Sequence, residues 1–390
     1  GLSTPTYEQY NCDNLADRGA GYGIESHIVD GNNILEMFTK INQLVCDMRS
    51  KPRPILLECK TFRMRGHEEA SGVKYVPKDL IDKWSLRDPI SNYQDFLFKK
   101  NILTQDDVVS IKLDIQNEID DAINVAFEEK PINCDVNFEL GSVFKSFNQQ
   151  SVNSSNDSNN IRFIDAISSA IKESMLNNDK IIFMGQDIAE YGGVFKVTDG
   201  LFEKYGKNRV LNTPLCESVI LSSAYGLSVG GYKSIVEMQF ADFVSSGFTA
   251  VVNLIAKSNY RWSQNSNIVI RMPCGGGVGA GPFHSQTNEV WFTKVPGLKV
   301  VYPSHPYEAK GLLNTSIDDP NPVMFFEHKN LYRTVSEEIP DSRYVLELGK
   351  GKIRNIGSKV SIVTYGLGVH WALDLPVSYT HLTLPTKVSV

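Results

Sequence analysis

Four short stretches carry residue types that could do chemistry. In RVLNTPLCESVILSSAYGLSVGG, residues 209–231, Glu217 is the only carboxylate in a run of apolar and small side chains. The plain reading is structural. Asn212-Thr213-Pro214 looks like a helix start, with Pro214 near the first helical position, and an acid in the first turn gains about 0.3–1 kcal/mol from the helix dipole. In CGGGVGAGPFHSQTNE, residues 274–289, glycines at 275, 276, 277, 279 and 281 let the backbone approach a ligand closely, and His284 beside them can move protons near neutral pH. The loop lacks the Gly-Lys-Ser/Thr ending of a phosphate-gripping P-loop and does not fit G-x-G-x-x-G, so nucleotide binding is unsupported. In KTFRMRGHEEASG, residues 60–72, Arg63, Arg65 and His67 could clamp an anionic phosphate, although such a cluster also suits a solvated loop. In EMQFADF, residues 237–243, Gln239 and Phe243 stand just past a strand, where an aromatic ring is commonly core.

These residues need elements to position them. The chain has 390 residues, 42% apolar and 22% charged, enough for two or three domains with packed cores. A net charge of -6 argues against non-specific nucleic-acid binding, and no apolar run is long enough to span a membrane. The six cysteines are scattered without a C-x-x-C pair, which fits reduced thiols in a cytoplasmic compartment. KSFNQQSVNSSNDSNN, Lys145 to Asn160, is nearly all Ser, Asn and Gln and is expected to be a flexible linker. Before it, ESHIVDG and RPILLECKTF read as short buried strands, and Thr104–Glu129 as an amphipathic helix, broken at most once, with Thr104 and Asp107 as its cap. After it, the strands KIIFMGQD, RVLNT, SIVEMQF, NIVIRMP, LKVVYPS and PVMFFEH alternate with helices, including Ile161–Leu176, Phe243–Lys257 and Tyr307–Ile317. That alternation predicts a parallel α/β sheet covered on both faces. Glu217, Gln239 and His284 all follow strands, so they can converge on one crevice at the strands' carboxyl ends. Lys359 begins a further strand-and-helix unit, whereas Pro376–Val390 is Thr- and Pro-rich, is expected to abort the preceding helix, and reads as non-native sequence.

Together these stretches resemble the thiamine-diphosphate-dependent decarboxylating component of the 2-oxo acid dehydrogenase complexes. NTPLCES, EMQFADF, GPFHSQ, PGLKVVYPS and NPVMFFEHKNLYR resemble the β subunit in order and spacing. GYGIESHIVDGNN, TFRMRGH and LRDPI resemble the C-terminal part of the α subunit, so the likeness covers Gly1 to Leu375. The wording NTPLCE…QFADF leans toward branched-chain (2-oxoisovalerate) or acetoin-type members. The resemblance implies a thiamine-diphosphate-binding fold with two α/β domains, the first one partial. Residues 1–145 are then the end of an α-type diphosphate-binding domain, 146–160 the linker and 161–335 a β-type pyrimidine-binding domain. Residues 336–375 begin a transketolase-like C-terminal domain, and 376–390 are the odd tail.

By resemblance, Glu217 is the acid that hydrogen-bonds the cofactor's pyrimidine nitrogen from a dry pocket and so activates the distant thiazolium carbon. Gln239 and Phe243 line and stack on the pyrimidine, His284 handles protons around the substrate or incoming lipoyl group, and Arg63 and His67 lie near the diphosphate and the entrance. The implied reaction is oxidative decarboxylation of a 2-oxo acid, with the acyl unit passed to a lipoyl group of the acyltransferase core. A homodimer of the fused chain is implied as well. The Gly-Asp-Gly and Asn-Asn ligands of Mg2+ are absent from the sequence and are expected upstream of Gly1, so the chain is expected to be an internal fragment, inactive alone. Glu68 stands where mitochondrial relatives carry a regulatory serine, which favours a bacterial setting. Asp319 and Asn321 match a K+ site through a short D-x-N that is otherwise a common turn. Three other readings stay open: a pyruvate or acetoin enzyme, a transketolase-type transferase, and a non-catalytic assembly module.

Overall fold

A computed structural model describes residues 4–133, 135–149 and 157–378. The chain divides into two compact units between Ile132 and Asn133. That boundary precedes the one expected at residue 145, because the intervening segment packs on the second unit. Asn259 Nδ2 donates to the Ser142 carbonyl (2.9 Å), and Asn321 exchanges hydrogen bonds with both backbone groups of Lys145.

In the first unit, β1 (Glu25–Asp30) and β2 (Ile55–Lys60) form a parallel pair. They are not the buried strands expected: Val29 alone of the two is fully buried. Gln105–Glu128 is one unbroken helix, and Thr104 and Asp107 form the reciprocal cap read from the sequence. Val108 is buried, but Ile111, Ile115, Ile119 and Ile123 on the same stripe stay about half exposed.

The second unit is built on six parallel strands: β4 (Ile181–Gly185), β5 (Val210–Asn212), β6 (Lys233–Glu237), β7 (Ile268–Cys274), β8 (Lys299–Val301) and β9 (Val323–His328). Their order in the sheet is β5-β4-β6-β7-β9-β8. Alternate side chains along each strand serve opposite faces. Phe183, Ile235, Val269 and Phe325 pack on one side with the helices Phe163–Asn177 and Pro306–Asp318. Met184, Val236, Ile270 and Phe326 pack on the other with the helix Glu217–Val229. The order of succession across the sheet reverses between the parallel neighbours β4 and β6: β4 connects outward to β5, and β6 leads the other way to β7. Crevices at the carboxyl ends of such a switch point are where open α/β sheets hold ligands.

Four further expectations need correction. Ser158–Asn160, assigned to the linker, belong to β3 (Ser158–Arg162), which pairs antiparallel with β10 (Ser336–Pro340); linker residues 150–156 lie outside the described residues. Ladder hydrogen bonds to a distant partner outweigh the polar composition. The helix expected over Phe243–Lys257 is a 3₁₀ segment (Ala241–Gly247), a π-helical turn (Ala250–Ile255) and a short α-helix (Ser258–Trp262). Finally, residues 359–365 form no strand and find no ladder partner among the described residues, which leaves Val360, Ile362 and Val363 exposed. The helix Leu367–Ser378 then runs through Pro376 rather than stopping before it. Residues 379–390 of the odd tail lie outside the described residues.

Candidate active site

Glu217 is the first residue of its helix, with Cys216 at the cap, so Pro214 stands outside the first turn where the sequence reading had put it inside. Its carboxylate is half-buried rather than sequestered. Gln186 Nε2 donates to Oε1 (3.0 Å), and the Ser246 hydroxyl donates to Oε2 (3.0 Å). Ser246 reaches it because the 3₁₀ segment brings the backbone close. A Cβ on Gly247 would lie 2.4 Å from Leu221 Cδ1 on the Glu217 helix.

Gln186 and Asp187 leave the end of β4 together and serve two different residues. Gln186 is 5% exposed and reaches Glu217, while Asp187 Oδ2 accepts from Gln239 Nε2 (2.7 Å). Asp187 has φ 57°, a left-handed conformation that suits Asp better than most residues. On the other flank, Phe243 meets His284 edge to face with ring centroids 5.4 Å apart, and Phe240 does so at 4.7 Å. The Ser246 hydroxyl lies 3.2 Å from the Phe243 carbonyl oxygen as well. Glu217, Gln239, Phe243 and His284 are therefore joined through Gln186, Asp187 and Ser246 at the switch point.

The sequence reading missed Gln186, Asp187 and Ser246. The first two could have been found by the strand-end rule that picked Gln239, because they directly follow the apolar run IIFMG. Ser246 carries no such signal.

The remaining expected residues have surroundings of their own. Arg63 and His67 sit on an exposed loop of the first unit, where Arg63 Nη2 donates to the His67 carbonyl (3.3 Å) and Arg65 pairs with Glu69 (2.6 Å). Asp319 and Asn321 are buried in an Asx turn: Asn321 N–H donates to Asp319 Oδ1 (2.9 Å), and Lys299 Nζ lies 2.5 Å from Oδ2. The positive charge facing Asp319 is thus an ammonium of the chain itself. Among the described residues no cluster of three or more His, Cys, Asp or Glu could hold a metal ion, and no helix is long and apolar enough to cross a membrane.

Just past β9, burial and the neighbouring Lys329 lower the His328 pKa from the ordinary 6.5 to about 4. The Asn330 N–H lies 3.3 Å from Nδ1, an atom that can accept only while unprotonated. A group whose folded pKa is depressed binds fewer protons folded than unfolded between pH 4 and 6.5. Stability is therefore expected to fall as pH drops from 6.5 toward 4. Urea titrations at stepped pH check this, and His328→Gln should flatten that part of the profile.

Comparison with known proteins bears on the family. Residues 159–335 match the family described as transketolase, pyrimidine binding domain, and residues 1–134 match the dehydrogenase E1 component family. The 2-oxoisovalerate dehydrogenase subunit beta of Bacillus subtilis (strain 168) is 45% identical over 214 residues, 54% of this chain and 65% of that protein. The pyruvate dehydrogenase E1 component subunit beta of Acholeplasma laidlawii is 42% identical over 208 residues, 53% and 64% of the two chains. That of Staphylococcus aureus (strain Mu50 / ATCC 700699) is 41% identical over 205 residues, 52% and 63%. The chain thus spans a little under two thirds of the length of these relatives. An E1-type segment and a pyrimidine-binding domain thus follow one another on one polypeptide, which supports a fused thiamine-diphosphate-dependent 2-oxo acid dehydrogenase component.

Proposed function

We propose that the crevice around Glu217 holds the pyrimidine half of thiamine diphosphate, and that the full-length protein oxidatively decarboxylates a branched-chain 2-oxo acid and passes the acyl group to a lipoyl domain. The linkage of Glu217, Gln239, Phe243 and His284 at the switch point carries this reading. The donor set suits an aminopyrimidine. Glu217 accepts two hydrogen bonds, which leaves lone pairs for a ring N–H. Phe243 offers an aromatic face, Gln239 a side-chain amide, and the buried Oε1 of Gln186 lacks a partner among the described residues.

When bound, thiamine diphosphate supplies the carbon nucleophile and the electron sink. The chain's share is to hold. Gln186 and Ser246 would hold the Glu217 carboxylate oriented for a ring nitrogen. His284, which meets Phe240 and Phe243 edge to face, can give or take a proton at the substrate or acceptor. The lipoyl-bearing acyltransferase core is the proposed partner.

The branched-chain preference follows the Bacillus relative, and pyruvate follows the other two. The test is an acceptor-linked assay of the full-length protein with 3-methyl-2-oxobutanoate and pyruvate, with and without thiamine diphosphate and Mg2+. Cofactor-dependent turnover is expected, faster with the branched substrate. Faster turnover of pyruvate would move the assignment to that class, and no turnover of either acid would refute it.

A further inference from the structure

The glycine loop between Cys274 and His284 is exposed over residues 277–283, yet it ends on a residue, His284, whose imidazole packs against Phe240 and Phe243. Something must hold its two feet. The backbone does part of this: Gly275 N–H donates to the Gln286 carbonyl (3.0 Å), and Gln286 N–H donates to Asp242 Oδ1 (3.2 Å).

The rest comes from His328 and Lys329. Lys329 N–H donates to the Cys274 carbonyl (3.0 Å), at the foot where the loop leaves β7. The Lys329 ammonium donates to the His284 carbonyl (2.8 Å), at the foot where the loop returns. It also lies 5.3 Å from the centroid of Phe240, the ring that meets His284. The side chain is 3% exposed, which a lysine tolerates only with partners. Next to it, the His328 ring fills the space a Cβ would need on Gly275, at 2.1 Å, and Gly275 has φ +81°. One dipeptide thus touches both feet of the loop.

We propose that Lys329 is a positioning residue that clasps the glycine loop and thereby fixes His284 against Phe240 and Phe243. The proposal rests on the role assigned to His284 above but does not need that role for its test. Hydrogen exchange is read by mass spectrometry on the full chain, comparing residues 275–286 with the helix Phe163–Asn177 on the other face of the sheet. Lys329→Met removes the donor. Lys329→Gln keeps an N–H donor without the charge.

In Lys329→Met, exchange over 275–286 should rise about tenfold, the scale of one lost charge-assisted hydrogen bond, while the helix stays protected. Lys329→Gln should restore most of the protection. Carbethoxylation of His284 by diethyl pyrocarbonate should follow the same order of variants. Unchanged exchange in Lys329→Met would overturn the proposal, and so would a glutamine variant as loose as the methionine one. Loss of protection in the helix for both variants would overturn it too, because Lys329 would then serve the whole fold rather than the loop. None of these readings needs cofactor or turnover, so the clasp and the proposed reaction can fail separately.

Discussion

Replacing Arg271 by methionine is expected to cost about 3–5 kcal/mol of folding stability, the usual result of leaving a buried charge unpaired. Arg271 is fully buried in the middle of the sheet. It holds Glu327 with two hydrogen bonds, at 2.8 and 2.7 Å, and Glu237 with a third at 2.5 Å. Tyr332 donates to Glu327 as well (2.7 Å). The network joins β6, β7 and β9 at their carboxyl ends, just below the residues that lead to Gln239, the glycine loop and Lys329. Two acids face one guanidinium. Burial pushes the Glu237 pKa up, Arg271 pulls it back and Glu327 adds to the rise. Glu237 is therefore the carboxyl of the two whose charged form burial disfavours, and Glu237→Gln should cost less stability than Arg271→Met. A raised carboxyl pKa stabilises at low pH and is lost as pH rises through it, so the glutamine variant should also lose that dependence. Denaturant midpoints of the two variants at several pH values check this. Equal losses would contradict the network as drawn.

Glu217→Gln should lower turnover of the full-length enzyme by about 10²–10³, the scale of losing one preorganised electrostatic group. Glutamine matches glutamate in shape, so the fold and the Ser246 contact should survive while the carboxylate's charge is lost. Ser246→Ala removes only a hydroxyl donor, and a smaller loss, about five- to tenfold, is expected. Steady-state rates with thermal denaturation of the same samples separate chemistry from stability. Undiminished turnover in Glu217→Gln would remove the acid from the mechanism.

The six strands of the central sheet were legible because each is a short apolar run with its own turn signals, and the Thr104 cap because its two partners are local. What was not legible depended on distant contacts. Ser158–Arg162 has one apolar residue, Ile161, and becomes a strand only because Ser336–Pro340 lies beside it. The apolar stretch 359–365 shows the converse: with no ladder partner among the described residues, residues suited to a strand do not form one. The helix after Phe240 is locally favourable, yet the close approach of Gly247 to the Glu217 helix tightens it. The strand-end rule found Glu217, Gln239 and His284 in the sequence. Their supports escaped it, since Gln186 and Asp187 read as the end of the strand KIIFMGQD itself and Lys329 looks like a solvated charge.

The central claim is that Glu217 is the acid that grips the pyrimidine. A crystal structure of the full-length protein loaded with thiamine diphosphate tests it most directly. The account predicts a Glu217 carboxylate oxygen within about 2.6–3.2 Å of a pyrimidine ring nitrogen, with the ring against Phe243. A pyrimidine bound to another carboxylate, with Glu217 turned to solvent, would contradict it.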